Sequence, residues 1–240
     1  MELLGGGDEM KVALITAASK GIGAGIAKEL ASQGYRVALL ARSEAVHQVA
    51  DQLGGIAVTG SVTQFESVER LVTTAMEKWG RVDAVVNNTG HPPKGGLLEL
   101  SDDQWHEGYL LIVESAMRMA RLVTPIMERQ GSGAFVSISS YAAIKPELAR
   151  PVSSVMRAAL GAWTKLHAEY CAPKGIRVNA VMPGFVDSYE VAAETIATIP
   201  MGRVGRVEEL AKMVAWLLSE DASYVTGQTM LLDGGMVKGL

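Results

Sequence analysis

The segment TAASKGIG, residues 16–23, joins a short apolar run to a stretch with helical periodicity. The run KVALIT (11–16) predicts a buried strand, and GIGAGIAKELASQG (21–34) places its apolar residues on one face of a helix that stops at Gly34. Glycines at such a junction let a pyrophosphate approach the backbone and sit on the unpaired N–H groups of the helix N-terminus. The alternative is an ordinary strand-to-helix turn that binds nothing.

Strand-like and helix-like segments alternate through the rest of the chain. Further strands are predicted at 35–41, 55–60, 82–88, 133–139, 176–182 and 227–235, and helices at 64–80, 101–129, about 153–171 and 208–220. This alternation is typical of βαβ units, in which each helix returns the chain to the next parallel strand. We therefore expect an α/β fold: a Rossmann-type doubly wound parallel sheet of about seven strands with helices on both faces.

The domain organisation follows from the absence of repeats, low-complexity tracts and linkers in the sequence. We expect one domain over residues 1–240, in which 1–10 form a loose N-terminal tail. The segment 184–207 has weaker periodicity and lies near the predicted strand ends, so it is interpreted as an insertion that covers the substrate.

Composition narrows the possible function classes. The 240 residues carry a net charge of −4 with no basic run, so neither nucleic acid nor an anionic membrane surface is an expected partner. No apolar run approaches the roughly 20 residues of a membrane span, and the first residues do not resemble a secretory signal. A single cysteine, Cys171, fits a reducing cytoplasm. The four histidines show no metal-ligand spacing, and no metal is expected.

The glycine turn resembles the Thr-Gly-x-x-x-Gly-x-Gly turn of the classical short-chain dehydrogenase/reductase (SDR) family. Thr16, Gly21 and Gly23 match that pattern, and Ala17 replaces its first glycine. Three further segments resemble family motifs in the family's order: NNTG (87–90), VNAVMPGFVDS (178–188) and YVTGQTMLLDGG (224–235). The resemblance spans nearly the whole chain and implies an oxidoreductase that moves a hydride between a nicotinamide cofactor and a carbonyl or alcohol.

The residue at the end of the second strand bears on the choice of cofactor. A carboxylate there accepts a hydrogen bond from the ribose of NAD and repels a 2′-phosphate, but this chain has Ala41 followed by Arg42, with Lys20 in the glycine turn. We therefore expect NADP(H) in preference to NAD(H), unless Arg42 merely lies at the surface. The family's aspartate after strand three is here Ser61, a weaker acceptor. The resemblance implies cofactor contacts from Thr16, Ala18, Ser19, Lys20, Gly21, Ile22, Gly23, Arg42, Ser61, Val62, Asn88, Gly90, Arg157, Pro183 and Gly184.

The catalytic positions depart from the family pattern of Asn, Ser, Tyr and Lys. In the family the tyrosine is the general acid or base, and the lysine binds the nicotinamide ribose and lowers the tyrosine pKa. By spacing, the serine position is Ser140, with Ser139 as an alternative shifted by one residue. Thirteen residues after Ser140 the tyrosine position holds Ser153, and four residues later the lysine position holds Arg157.

The asparagine position is also changed. Family members often have a tryptophan seven residues before it, and seven residues after Trp105 stands Ile112. Only one member of the tetrad therefore remains. An aliphatic hydroxyl cannot replace a phenol as an acid near neutral pH, and a permanently protonated guanidinium cannot relay a proton. The sequence thus predicts weak or absent ordinary turnover.

Four nearby residues are considered as substitutes for the missing catalytic groups. Tyr141 and Lys145 repeat the Tyr-x-x-x-Lys spacing, although the alternative is an unrelated pair on a surface loop. His91 follows NNTG, and Tyr189 lies in the insertion, but each is equally compatible with a structural role.

Three functions from different classes therefore stay open. These are an NADP(H)-dependent oxidoreductase with altered acid–base groups, a nucleotide-binding pseudoenzyme or regulatory subunit, and a non-redox enzyme on the same fold. Arg157 at the lysine position also resembles the halohydrin dehalogenases, relatives that have arginine there and work without a nucleotide. Those relatives keep the tyrosine and lose the glycine turn, whereas this sequence does the reverse. The resemblance also implies a small-molecule substrate and a homotetramer or homodimer.

Overall fold

A computed structural model describes residues 10–238 as a seven-stranded, entirely parallel sheet with the order β3-β2-β1-β4-β5-β6-β7. The strands are β1 Val12–Thr16, β2 Arg36–Ala41, β3 Ile56–Thr59, β4 Ala84–Asn87, β5 Gly133–Ile138, β6 Ile176–Pro183 and β7 Thr229–Leu232. The α-helices are α1 Gly21–Ser32, α2 Ala45–Gln52, α3 Phe65–Trp79, α4 Asp102–Tyr109, α5 Ser115–Gln130, α6 Pro151–Cys171, α7 Ala193–Ile196 and α8 Val207–Leu218. The predicted Rossmann-type doubly wound sheet is confirmed.

Helices cover both faces of the sheet because its strands are apolar on both sides. Alternate residues of each inner strand point to opposite faces. One face packs against α1, α2 and α8, and the other packs against α3, α5 and α6. No helix within residues 10–238 is long and apolar enough to cross a membrane.

Three features of the helices differ from the sequence-based expectation. Helix α2 was not predicted. Val46, Val49, Ala50 and Leu53 do recur at helical spacing, but the helix has only eight residues, so the pattern covers little more than two turns. The predicted helix 101–129 is interrupted by a π-helical turn at Leu110–Glu114. Helix α6 begins at Pro151, two residues before the predicted start, because proline at the first position already has a helical φ and needs no N–H partner.

The predicted insertion, 184–207, follows the end of β6. Within 184–207, the short helix α7 and an isolated parallel bridge between Val186 and Gly205 are the regular elements. Most of the predicted tail, residues 1–9, lies outside the described residues.

A buried histidine lies between α5 and α6. The Nε2 atom of His167 is 3.0 Å from the hydroxyl of Thr124, and its ring stacks on Trp163 and meets Phe135 edge-on. Burial, with a smaller contribution from Lys174, lowers the pKa of His167 to about 4. The ring is therefore neutral in the folded protein at pH 7.

This histidine is expected to make the fold sensitive to acid. Between about pH 6.5 and pH 4, His167 is protonated in the unfolded chain but neutral in the folded protein. Stability is therefore lost as the pH falls from 6.5 to 4, by on the order of 3 kcal/mol. Urea unfolding of the wild type and of His167→Gln, which keeps a polar partner for Thr124, measures this difference. Equal pH slopes for the two proteins would contradict the assignment.

Candidate nucleotide and active site

The strand order reverses between β1 and β4, and the crevice above their carboxyl ends is where ligands bind in sheets of this kind. Thr16 and Asn88 connect the two strands there. The Thr16 hydroxyl donates to the Asn88 carbonyl at 2.6 Å and accepts from the Asn88 N–H at 2.9 Å. The Asn88 side-chain amide donates to the Ala17 carbonyl at 3.3 Å. We call these contacts the Thr16–Asn88 clasp.

The glycine turn is closely packed against the start of α1. A Cβ atom on Gly23 would overlap the Ala17 carbonyl oxygen, so only glycine fits there. Ala17 itself has φ +51°, the one positive value among the non-glycine residues described. The left-handed region costs an alanine about 1–2 kcal/mol, which explains why the family pattern has glycine at this position.

The N-terminus of α1 is open to an anion. Its first turn has neither a side-chain cap nor an acidic residue, so its N–H groups have no side-chain partner. Of the residues assigned to the nucleotide, Lys20 is exposed, Ser19, Gly21 and Ile22 are half-buried, and Ala18 is buried. These features fit the pyrophosphate of a dinucleotide.

Arg42 lies beside the crevice and is exposed. A Cβ atom built on Gly90 would lie 3.9 Å from one Nη atom of Arg42, so the guanidinium reaches across the ends of the strands toward the loop after β4. At the next strand, the Ser61 hydroxyl is 2.8 Å from that of Thr63 and remains half-buried. Val62 packs into the core.

The other wall of the crevice is the end of β6. Pro183 is buried in the last position of this strand, and Gly184 follows it. A Cβ atom on Gly184 would lie 2.9 Å from the Cα of Asp233, so the chain after β7 passes close to this backbone.

The serine positions lie at the end of β5 and the start of α6. The Ser140 hydroxyl accepts from the Ala142 N–H at 3.3 Å and caps a single 3₁₀ turn at Tyr141–Ala143. Ser139, the shifted alternative, is buried, and its hydroxyl has no partner among the described residues. Ser153 is half-buried in the first turn of α6.

Arg157 lies one turn further along α6 and is 7% exposed. Its Nη1 donates to the Ile138 carbonyl at 2.6 Å, which holds the guanidinium against the end of β5. Its Nε has no partner, and it forms no ion pair with any described residue. Burial lowers the pKa of Arg157 to about 10, so the group stays charged at pH 7.

The asparagine position falls inside the π-helical turn. Ile112 is 2% exposed and packs with Val113, Ala116 and Leu160. Such turns often occur at functional sites, because the extra residue shifts the side chains that follow it. Here the asparagine position carries the apolar side chain of Ile112, which offers no hydrogen bond to a water or a substrate.

Tyr141 is held in a network that its sequence spacing does not suggest. Its hydroxyl donates to Glu147 Oε2 at 2.7 Å and accepts from Arg150 Nη1 at 2.9 Å. Burial and the hydrogen bond to Glu147 raise the Tyr141 pKa well above its ordinary value of 10. The proposed partner Lys145 is exposed, and the cation at the phenol is Arg150 instead.

Sequence reasoning missed Arg150 and Glu147, as well as Phe185. The Arg150 guanidinium lies over the Phe185 ring at 5.0 Å, and Phe185 is 5.7 Å from Tyr141. A charged pair in the loop just before the helix that bears Ser153 was the available signal.

The remaining candidates, His91 and Tyr189, contact each other. Their rings meet edge-on with centroids 5.8 Å apart, which joins the loop after β4 to the insertion. Partial burial and then the charges of Lys94, Arg157 and Arg150 lower the pKa of His91. His91 is consequently neutral at pH 7 and is a weak proton donor there.

Comparison with known proteins agrees with this geometry. A family model described as Enoyl-(Acyl carrier protein) reductase matches residues 16–237. The chain is 33% identical to the 3-oxoacyl-(acyl-carrier-protein) reductase FabG of Salmonella typhimurium strain LT2, over 95% of this chain and 98% of that protein. It is 35% identical to human dehydrogenase/reductase SDR family member 4, over 94% of this chain and 87% of that protein.

A solved structure has the same fold. The L-sorbose reductase from Gluconobacter frateurii, solved in complex with NADPH and L-sorbose, superposes with a TM-score of 0.89 at 31% identity, covering 97% of this chain and all of that one. The matching family model, these identities over nearly whole chains, and the glycine turn at the switch point of a parallel sheet agree with one another. The chain belongs to the classical short-chain dehydrogenase/reductase family.

Proposed function

We propose that this protein is an NADP(H)-binding SDR oxidoreductase whose carbonyl and alcohol turnover is weak, because its active site lacks the family's tyrosine, lysine and asparagine. The observation that carries the proposal is the pairing of a well-formed nucleotide crevice with Ser153 and Arg157 at the two catalytic positions of α6. NADPH, when bound, supplies a hydride.

The residues of the crevice fit that cofactor. The open N-terminus of α1 suits the pyrophosphate, and Arg42 offers a fork of donors to a 2′-phosphate with no carboxylate at Ala41 to repel it. The NADPH in the L-sorbose reductase structure supports the same preference. Pro183 and Gly184 would border the nicotinamide end.

The proton supply is the weak part of the site. Ser140 retains a hydroxyl that can donate a hydrogen bond to a substrate oxygen. Tyr141 is a poor acid because its pKa is raised and its hydroxyl already donates a hydrogen bond to Glu147. His91 is neutral at pH 7 because its pKa is lowered, so it is not available there as a protonated acid. Losing a positioned general acid costs typically about 10²–10⁴-fold in rate.

Fluorescence titration with NADPH and NADH tests the binding, and a panel of small ketones, aldehydes and 2-oxo acids tests the chemistry. We expect tighter binding of NADPH and almost no turnover. Failure to bind either nucleotide would refute the cofactor assignment. Tight binding with no reaction on any carbonyl would favour the second candidate, a nucleotide-binding pseudoenzyme, which the same site chemistry supports.

Reversing the charge of Arg42 is expected to affect the affinity for NADPH much more than the affinity for NADH. Arg42→Asp removes charge-assisted hydrogen bonds worth about 1.5–3 kcal/mol and should weaken NADPH binding by about 10–100-fold while changing NADH binding little. Arg129→Asp, an exposed position at the C-terminal end of α5, is the matched control. An unchanged preference for NADPH in Arg42→Asp would contradict the role given to this arginine.

The remaining parts of the proposal concern the surroundings of the site. We propose that segment 184–207 covers a small-molecule substrate, since its Tyr189 reaches His91. Exposed apolar residues of α6 (Val155, Leu166 and Tyr170) support a homotetramer or homodimer formed through this helix. The whole chain acts as one domain in the cytoplasm, where its buried thiol Cys171 would stay reduced.

A further inference from the structure

The buried guanidinium of Arg157 lacks a counter-charge. It is 7% exposed, one hydrogen bond fixes it to a neutral carbonyl, and its Nε is one of two buried side-chain polar atoms left without a partner among residues 10–238. The other is the hydroxyl of Ser139, the residue next to Ile138, whose carbonyl Arg157 binds. Buried charges are normally paired, because an isolated ion loses its hydration without compensation.

Other cations converge on the same end of the crevice. The Arg150 guanidinium lies 5.8 Å from the centroid of the Tyr141 ring and 5.0 Å from that of the Phe185 ring, and Lys94 forms no ion pair among the described residues. One carboxylate, Glu147, lies 3.8 Å from Arg150 and already accepts a hydrogen bond from Tyr141. Among the described ion pairs, Glu147 is the carboxylate paired with any of these three cations, and it offsets one of their three charges.

Ribose hydroxyls would not remove this imbalance. They can occupy the N–H groups of a guanidinium, but they are neutral and leave its charge unpaired. The charges acting on His91, in the loop opposite Arg157, are those of Lys94, Arg157 and Arg150 and include no carboxylate. Beside these cations, the half-buried ring of Phe185, next to Arg150, and the exposed ring of Tyr189, next to His91, offer an aromatic wall.

We propose that the substrate end of the crevice is a carboxylate-binding site, in which Arg157 pairs with the carboxylate of a small organic acid and the aromatic wall takes its apolar part. The inference rests on the proposed function, since it names the substrate class of the same site. Arg150 contributes a second, more exposed charge. A guanidinium suits this role because its planar fork matches a carboxylate.

Calorimetric titration with phenylacetate and with its neutral analogue phenylacetamide tests the proposal without any turnover. Each titration is run on the protein alone and on the protein saturated with NADP⁺. Phenylacetate is expected to bind at least about tenfold more tightly than the amide. Arg157→Met, which keeps an unbranched buried side chain, is expected to abolish that preference, whereas Arg121→Met at an exposed position of α5 is expected to leave it unchanged.

The outcomes separate this inference from the proposed function. Equal affinity for acid and amide overturns the carboxylate site, even where NADPH binds normally. Displacement of phenylacetate by an equal concentration of inorganic phosphate assigns the site to phosphate and also overturns the proposal. If NADPH does not bind but phenylacetate still binds more tightly than phenylacetamide, only the cofactor assignment is refuted. Should Arg157→Met not fold, Arg150→Gln is expected to reduce the preference about threefold, and no reduction would contradict the proposal.

Discussion

Replacing Ser153 by tyrosine and Arg157 by lysine is expected to raise NADPH-dependent reduction of small carbonyl compounds by at least about 100-fold over the wild type. The double change restores a phenol and an amine four residues apart on α6, where both positions face the end of β5. A nearby ammonium lowers the pKa of a phenol, and no shift of comparable size makes an aliphatic hydroxyl useful as an acid.

The matched control separates the acid from the shape of the side chain. Ser153→Phe with Arg157→Lys introduces a ring of nearly the same volume without the hydroxyl, and it should stay as slow as the wild type. Initial rates of NADPH oxidation across the carbonyl panel give the comparison. Equal rates for the tyrosine and phenylalanine proteins, or fast reduction by the wild type, would show that these two positions do not limit the reaction.

Adding Ile112→Asn to the restored pair is expected to contribute less. Ile112 is enclosed by Val113, Ala116 and Leu160, so an amide placed there loses water and gains no designated partner. Groups that act as a unit are also not additive in their effects on rate. The gain in the rate of carbonyl reduction therefore depends chiefly on the phenol introduced by Ser153→Tyr.

Gly23→Ala is expected to weaken NADPH binding by about 100-fold, equivalent to about 2.7 kcal/mol. The added methyl would overlap the Ala17 carbonyl oxygen and lie 2.9 Å from the Ala17 carbonyl carbon and the Ala18 Cα, and all of these neighbours are backbone. The backbone can yield only by moving the turn away from α1. That movement disturbs the N–H groups that receive the pyrophosphate and costs stability of about 1–3 kcal/mol.

Gly161→Ala is the control for this substitution. Gly161 also lies in a helix, but a Cβ atom there meets nothing within 4 Å. This change should leave NADPH binding intact and stabilise α6 slightly, because alanine has the higher helix propensity. Nucleotide titration and thermal unfolding of both variants provide the test, and wild-type affinity in Gly23→Ala would contradict the packing argument.

The sequence was sufficient for the fold because its strong signals were local. The runs that became β1, β5 and β6 are short and rich in apolar residues, although β5 contains Ser137 and β6 contains Arg177 and Asn179, and the glycine turn lies where the structure has it. Helix α2 was not predicted because its apolar residues, although at helical spacing, extend over little more than two turns. The π-helical turn had no signal either, since one extra residue in a helical turn changes no residue type.

The site was less predictable because its charges depend on how a loop folds. Spacing placed Ser153 and Arg157 correctly on α6, but it could not show that Arg157 would be buried without a counter-ion. The Tyr141 and Lys145 pattern suggested a pair, whereas the loop 141–150 brings Glu147 and Arg150 to the phenol instead. Such contacts within an irregular loop, between residues six and nine positions apart, follow no helical or strand periodicity and so cannot be recognised in the sequence.

The Thr16–Asn88 clasp has a consequence for the way the crevice can move. One hydroxyl both donates to and accepts from the loop after β4, and the Asn88 amide returns a bond to the glycine turn, so the two loops form one stiff unit. Such a unit is preorganised and loses little conformational entropy when a nucleotide arrives. Any movement that admits a substrate is therefore expected in the loops after β5 and β6, where changes in substrate choice would leave the nucleotide-binding turn undisturbed.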